Sequence, residues 1–142
     1  MDMPDPTDAA LYDHWVHSPV RFSDTDLVGH VNNVALAAHV EAGRVAYASS
    51  LTGALRQDDR WITLRRLEID YLREVFYPAD LQVGSRLVAV GRTSLTVASG
   101  VFDGGDCVAL GKGVLVLVGP QGASPIEGAT REQLEAELPA AR

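Results

Sequence analysis

The feature that most constrains the fold is one long apolar segment, residues 32–52, followed by a series of strand-like runs. Over this segment, apolar residues cover most of the circumference of a helix, which predicts a helix that is largely buried. Asn32 is a suitable N-cap, and Gly53 is a suitable stop. The many alanines and Gly43 keep the helix thin, so that a curved sheet could wrap closely around it.

Four strand-like runs follow the helix and predict an antiparallel sheet. In the first, Leu67, Ile69 and Tyr71 alternate with acidic residues, and an opposite phase before them predicts a bulge near Arg65–Arg66. The other runs are residues 81–90, 95–102 and 107–118. A hairpin turn at Gly104–Gly105 precedes the last run. That run is apolar at nearly every position, which predicts a central strand or one covered on both faces.

The remaining segments complete one domain. Residues 14–23 predict a first strand interrupted near Pro19, and residues 1–12 have the composition of a flexible N-terminal tail. Thr130 and Gln133 have the spacing of a capping box, which predicts a short C-terminal helix. The chain has 142 residues and no long linker. We therefore expect residues 13–142 to form a single α+β domain with one helix against one sheet.

Composition excludes several classes of function. A net charge of −7 argues against nucleic-acid binding, which requires a basic face. No apolar stretch approaches the roughly 20 residues that span a bilayer, and no signal-like segment opens the chain. Four scattered histidines and the single Cys107 do not predict a metal site. We therefore expect a cytoplasmic protein without a membrane span, a metal or a disulfide.

The residues with chemical potential crowd the turn before the long helix. Asp24, Asp26 and His30 lie there, next to a helix N-terminus whose free N–H groups and partial positive charge can stabilise an oxyanion. A carboxylate at this place can act as a general base or a nucleophile. Gly29 allows a ligand to approach the backbone. However, Asp-x-Asp before a helix is also a common capping turn, so the residues alone leave both interpretations open.

Five features of the sequence form a recognisable set: Arg21-Phe22, the Asp-Thr-Asp of residues 24–26, the Gly-His-Val-Asn-Asn of residues 29–33, Glu41 with Arg44, and residues 71–84. Together they resemble the 4-hydroxybenzoyl-CoA thioesterase-like branch of the hotdog superfamily. The resemblance implies a hotdog fold, in which a curved antiparallel sheet of about five to six strands wraps one long central helix. It also implies an acyl-CoA thioesterase, which hydrolyses an acyl-CoA to the free acid and coenzyme A.

The resemblance also implies roles for residues. Asp26 would attack the thioester carbonyl or activate a water, and backbone N–H groups from Gly29 to Val31 would polarise the carbonyl oxygen. His30 and Asn33 would lie near the thioester. Coenzyme A is part of the substrate, so no further cofactor is expected. Relatives form dimers with active sites at the interface, often paired into tetramers, which predicts a homodimer or homotetramer. They commonly carry an aromatic residue where Leu36 stands, so the acyl pocket differs here.

Basic residues near strand ends are candidates for binding the coenzyme A phosphates. Arg65, Arg92 and Lys112 are the first choices, joined by Arg66 and Arg73. Each is at least as well explained as a solvated surface charge.

Other functions fit the same residues less well. A non-catalytic binder of acyl-CoA or acyl-carrier protein would not need Asp26. In hotdog hydratases the paired Asp and His are usually separated by four residues, whereas three separate Asp26 from His30. A metal-dependent phosphatase would need a strongly apolar strand before the Asp-x-Asp and later acidic residues. The sequence predicts neither the acyl group nor whether Asp26 acts as nucleophile or base.

Overall fold

The structure is a computed structural model that describes residues 3–51 and 59–139. Two α-helices and six β-strands form its regular elements in these ranges. They are β1 (His14–Pro19), α1 (Asn33–Ser50), β2 (Trp61–Tyr71), β3 (Asp80–Val90), β4 (Ser94–Asp103), β5 (Asp106–Gly119), β6 (Gly122–Ala123) and α2 (Gly128–Glu137). Two 3-10 turns, at Ala9–Leu11 and Phe22–Asp24, lie on either side of β1.

The strands form one antiparallel sheet in the order β1-β3-β4-β5-β2, with β6 paired to the end of β5. The sheet curls around α1, which packs mainly on β3, β1 and β4. This arrangement confirms the expected hotdog fold. The central place of β5 is also confirmed, as is the bulge in β2, where the register shifts between Leu64 and Arg66. Gly104 and Gly105 have φ angles of +57° and +98° and form the predicted hairpin turn.

The start of α1 follows from its N-cap. Asn32 has an extended backbone, and its side-chain oxygen accepts a hydrogen bond of 2.8 Å from the N–H of Ala35. The predicted N-cap is therefore confirmed. The helix ends at Ser50, and the predicted stop, Gly53, lies outside the described residues.

The prediction that α1 is buried around most of its circumference is wrong for the single chain. One face packs on the sheet, but the opposite face is open to solvent, with Val34 82% and Val45 54% exposed. Apolar residues do lie around most of the helix, but one curled sheet covers only one side of it. The other side of α1 is thus an uncovered apolar stripe, consisting of Val34, Ala38, Ala42 and Val45.

The thin inner face of α1 allows a very close approach to the sheet. A Cβ added to Gly43 would lie 2.9 Å from the Cβ of Val83 on β3 and would overlap the end of that side chain. A Cβ on Gly111 of β5 would likewise lie 2.6 Å from a methyl group of Val40. Glycine is therefore required on both sides of the helix–sheet contact.

The structure differs from the sequence-based predictions at the last helix and around the first strand. The predicted capping box at Thr130 is wrong, because α2 begins two residues earlier at Gly128, whose φ of +66° ends the preceding extended stretch. The first strand ends at Pro19, where the sequence predicted an interruption; residues 20–23 do not continue it, and a 3-10 turn follows.

Tyr12, at the end of the predicted N-terminal tail, is buried against Trp15 and Phe102. Its hydroxyl donates to the carbonyl of Pro6 over 2.6 Å. Burial raises the pKa of Tyr12 to about 12.

Candidate active site

The segment before α1 is a closed loop, residues 24–32, referred to here as the Asp26 loop. Its ends are joined by a hydrogen bond of 2.9 Å from the N–H of Asn32 to the carbonyl of Asp24. Inside it, the N–H of Asp26 donates to the carbonyl of His30 over 2.8 Å. Gly29 has a φ of +85°, which allows the chain to reverse at this point. The loop therefore holds Asp26 beside the first turn of the helix.

The two carboxylate oxygens of Asp26 have different surroundings. Oδ1 accepts hydrogen bonds from the N–H groups of Val28 (2.9 Å) and His30 (3.1 Å), as in a capping turn. Oδ2 has no hydrogen-bond donor within the described ranges. Oδ1 of Asp26 thus holds the loop as in a capping turn, whereas the role of Oδ2 in chemistry stays a prediction.

The N–H groups that the sequence assigned to an oxyanion hole already have acceptors. Gly29 donates to the carbonyl of Asp26 (3.2 Å), His30 to Asp26 Oδ1, and Val31 to the carbonyl of Val75 (2.8 Å). All three bonds close the Asp26 loop or join it to the chain after β2. The N–H groups of Gly29, His30 and Val31 therefore each have an acceptor in the chain itself. Their predicted role as donors to a substrate is corrected accordingly.

The free donors lie slightly further along. Asn32, the N-cap, accepts from the N–H of Ala35 with its side chain and from the N–H of Leu36 with its carbonyl. The N–H groups of Asn33 and Val34 have no acceptor in the part of the chain that the structure describes. The helix dipole reinforces these two donors, which directly follow the Asp26 loop in the chain.

Asp26 and the start of α1 line one side of a cleft of about 370 Å³. Residues 71–75, which join β2 to β3, form the opposite side. The hydroxyl of Tyr71 donates to the carbonyl of Asn33 over 3.0 Å and holds the two sides together. The cleft is lined by Asp26, His30, Val31, Asn32, Asn33, Leu36, Tyr71, Leu72, Arg73, Glu74 and Val75. Four of the five predicted catalytic residues therefore line one cleft; Gly29 shapes the loop behind it.

Glu74 is a site residue that the sequence interpretation missed. Its carboxylate lies 3.5 Å from Nε2 of His30, and the edge of the His30 ring meets Phe76 at 4.5 Å between centroids. The only sequence feature that could have indicated Glu74 was its position within residues 71–84, a run that contributes to the family resemblance. Leu36 is buried and lines the cleft, and its place in an acyl pocket stays a prediction.

The predicted phosphate-binding residues lie away from the cleft. Arg65 borders a separate depression beside β6, Arg92 lies in the turn between β3 and β4, and Lys112 pairs across strands with Glu68. Within one chain, none of the three is brought to Asp26. Of the basic residues named from the sequence, Arg73 is the one that lines the cleft, with its guanidinium 3.4 Å from Asp106.

Asp24 has a partner that the sequence did not predict. Its Oδ2 accepts from the N–H of Arg21 and from Nε2 of His39, each over 2.9 Å, and Nδ1 of His39 lies 2.5 Å from Oγ of Ser18. Burial alone would raise the pKa of Asp24, but the hydrogen bonds from Arg21 and His39 and the charges of both residues hold that pKa below its ordinary value. Asp24 therefore stays ionised and anchored.

Other chemistry has less support. In residues 3–51 and 59–139, no group of three or more His, Cys, Asp or Glu side chains is placed to hold a metal ion. Neither helix described there has the length and apolar character needed to cross a bilayer. Glu41 pairs with Arg44 over 3.6 Å, the predicted contact between neighbouring turns of α1.

Comparisons with known proteins identify the family and agree with the fold. The family model of the thioesterase-like superfamily matches residues 20–134. A thioesterase from Thermus thermophilus, crystallised with coenzyme A and zinc, superposes with a TM-score of 0.75 at 33% identity, covering 87% of this chain and 98% of that one. A predicted thioesterase from Bacillus stearothermophilus gives a TM-score of 0.78 at 29% identity, covering 91% and 98%. The uncharacterized protein YsmA of Bacillus subtilis is 35% identical over 78 residues, 55% of this chain and about half (53%) of that protein.

Proposed function

Since the chain belongs to the thioesterase-like superfamily, we propose that it hydrolyses acyl-CoA thioesters to the free acid and coenzyme A. The observation that carries the proposal is one cleft that both Asp26 and Asn33 line. In the described ranges, Oδ2 of Asp26 has no hydrogen-bond donor and the N–H of Asn33 has no acceptor. Coenzyme A as carrier is supported by the Thermus thioesterase, whose crystal structure contains it.

In the proposed reaction, the thioester carbonyl oxygen accepts hydrogen bonds from the N–H groups of Asn33 and Val34. These donors and the helix dipole stabilise the negative charge that develops on this oxygen. Oδ2 of Asp26 either takes a proton from an attacking water or attacks the carbonyl carbon itself. In the second case a mixed anhydride forms and the thiolate leaves; water then opens the anhydride. Both routes yield the acid and, after protonation of the thiolate, the free thiol.

The remaining cleft residues bind the substrate in this proposal. Leu36 contacts the acyl group, while His30 and the exposed side chain of Asn33 lie next to the thioester. Arg73 is the cation best placed in one chain for a phosphate of coenzyme A. Arg65, Arg92 and Lys112 stay predictions for that role, which each would need a second chain to fulfil. A cytoplasmic location also stays part of the proposal.

The proposal is tested by measuring free thiol released from a panel of short, long, aromatic and hydroxylated acyl-CoA thioesters. We expect turnover of at least one member, and the preferred member identifies the acyl class. The same panel is titrated calorimetrically. Binding without thiol release would contradict the proposed enzyme. It would support the alternative function, a non-catalytic protein that binds acyl-CoA or acyl-carrier protein. If the folded protein neither binds a member of the panel nor releases thiol from it, both the enzyme and the binding protein are contradicted.

The proposal includes a homodimer or homotetramer. The outer edge of β2 pairs with no strand in the described ranges, and its side chains Trp61, Leu64 and Tyr71 are at least 40% exposed. The uncovered apolar stripe of α1 adds Val34 and Val45. Apolar surface of this extent on a single chain is typical of an association site. A second copy covers it in a symmetric assembly.

Light scattering after size exclusion measures this association. We expect a mass of at least twice the 15.2 kDa of one chain. Val45→Lys places a charge in the stripe and should lower the mass or weaken association by at least about tenfold, since an unpaired charge in an interface costs several kcal/mol. Met3→Lys, which changes an exposed apolar residue elsewhere, is the matched control. A monomeric wild type would contradict the assembly but not the chemistry of the cleft.

A further inference from the structure

Behind the Asp26 loop lies a partly buried, hydrogen-bonded row of three side chains that the proposed reaction does not use. His39, on α1, is only 7% exposed. Its Nε2 lies 2.9 Å from Oδ2 of Asp24, and its Nδ1 lies 2.5 Å from Oγ of Ser18 on β1. Because the ionised carboxylate can only accept, Nε2 carries a proton. The ring is therefore fixed from both sides, and it joins β1, the Asp26 loop and α1.

Asp24 is the first residue of the Asp26 loop and anchors it. Its side chain is held by His39, and its carbonyl accepts the N–H of Asn32, the N-cap of α1. Along the chain, Asp24 is two residues from Asp26. A movement of Asp24 would therefore be passed to Asp26 in one direction and to the N-cap in the other. Since His39 lies on α1 itself, its bond to Asp24 ties the loop to the helix whose N-terminus faces the cleft.

We propose that His39 is a positioning residue that fixes, through Asp24, the separation between the Asp26 carboxylate and the free N–H groups of Asn33 and Val34. The inference rests on the proposed function, because that separation matters only if the two groups act on one carbonyl. Reaction rates depend steeply on such geometry, and a displacement of about 1 Å can reduce the rate about 10²-fold. Substrate affinity depends more on the walls of the cleft, which His39 does not line.

Two substitutions separate the bond to Asp24 from the bond to Ser18. In His39→Gln, the side-chain amide nitrogen can occupy the place of Nε2, which preserves the donor to Asp24. In His39→Asn, the shorter amide reaches only the place of Nδ1, which preserves the contact with Ser18 and removes that with Asp24. Both variants remove the imidazole from the same buried place, so a loss of packing alone would affect them similarly.

We expect His39→Asn to reduce kcat about 10- to 100-fold with KM changed less than about threefold, as for a displaced catalytic group. His39→Gln should keep kcat within about threefold of wild type, a rescue by the retained donor. The matched control is His17→Asn, the same exchange at an exposed histidine on β1 that pairs with Asp80. It should change neither constant. Each is measured at a temperature where melting curves show the variant fully folded.

A second measurement does not depend on turnover. Amide hydrogen exchange by NMR reports on the N–H groups of His30 and Asn32, whose bonds close the Asp26 loop. We expect both amides to exchange at least about tenfold faster in His39→Asn but not in His39→Gln, with the amides of α1 beyond its first turn unchanged. If the wild type hydrolyses no thioester, the proposed function fails. The exchange data then still decide whether His39 holds the loop.

The inference is overturned by either of two results. In one, His39→Asn, folded and assayed beside wild type, keeps both its kcat and its slow exchange at His30 and Asn32. In the other, the Asn and Gln variants lose kcat equally, with a matching fall in melting temperature, which would mark His39 as a packing residue only.

Discussion

Asp26→Asn lowers the rate of thioester hydrolysis by about 10³-fold or more, within the range for loss of a general base or nucleophile. The side-chain oxygen of asparagine still accepts from the N–H groups of Val28 and His30, so the Asp26 loop keeps its shape. The amide that takes the place of the free Oδ2 neither removes a proton nor attacks a carbonyl. The loss should therefore fall on kcat, with binding of acyl-CoA largely retained.

The measurement is thiol release under single- and multiple-turnover conditions, beside the thermal melting curve of each protein. Asp80→Asn is the matched control, because Asp80 is an exposed aspartate that pairs with His17 away from the cleft. It should retain the wild-type rate. If Asp26→Asn is folded and equally active, the carboxylate is not the reactive group, and the role assigned to Asp26 is lost while the fold remains.

Gly43→Ala destabilises the protein, although alanine is the better helix former. Alanine alone would gain up to about 1 kcal/mol over glycine in a helix. At this position, however, the new methyl group would overlap Val83, whose Cβ lies 2.9 Å away. Overpacking of a close-packed core costs about 1–3 kcal/mol. We therefore expect a net loss of up to about 2 kcal/mol in the free energy of unfolding, measured in urea.

The cause is tested by a double-mutant cycle. Val83→Ala removes the overlapping side chain, so the loss caused by Gly43→Ala should shrink or change sign in that background. The helix-propensity difference between glycine and alanine, up to about 1 kcal/mol in favour of alanine, is taken into account as a known contribution. A Gly43→Ala protein more stable than wild type would mean that α1 moves away from β3 at little cost.

Features encoded by short stretches of sequence were predicted well. The N-cap at Asn32 and the hairpin at Gly104–Gly105 depend only on residues next to them, and both are confirmed. The bulge in β2 was visible because the apolar phase reverses within the strand itself. The capping box at Thr130 failed for a related reason: Gly128, also close in sequence, starts the helix earlier.

Features that depend on distant partners were not predictable. The N–H of Val31 has its acceptor in Val75, beyond α1 and β2, so the sequence could not reveal that this donor is already used. Apolar periodicity placed His39 on a helix but gave no sign of its bond to Asp24. Strand patterns indicate which face a residue such as Lys112 occupies, but not its distance from Asp26 along the sheet.

In the proposed function, the two sides of the cleft have different roles: one side carries out the reaction and the other recognises the substrate. In the proposed reaction, the carboxylate of Asp26 and the N–H donors of Asn33 and Val34 belong to one short continuous stretch, whereas the facing side is formed by residues 71–75. The backbone of that connection is tied down at Leu72 and Arg73, whose N–H groups donate to Val108, and at Val75. Side chains at residues 72–74 can thus be exchanged on a fixed frame. A library confined to these three positions would vary substrate preference without rebuilding the catalytic stretch.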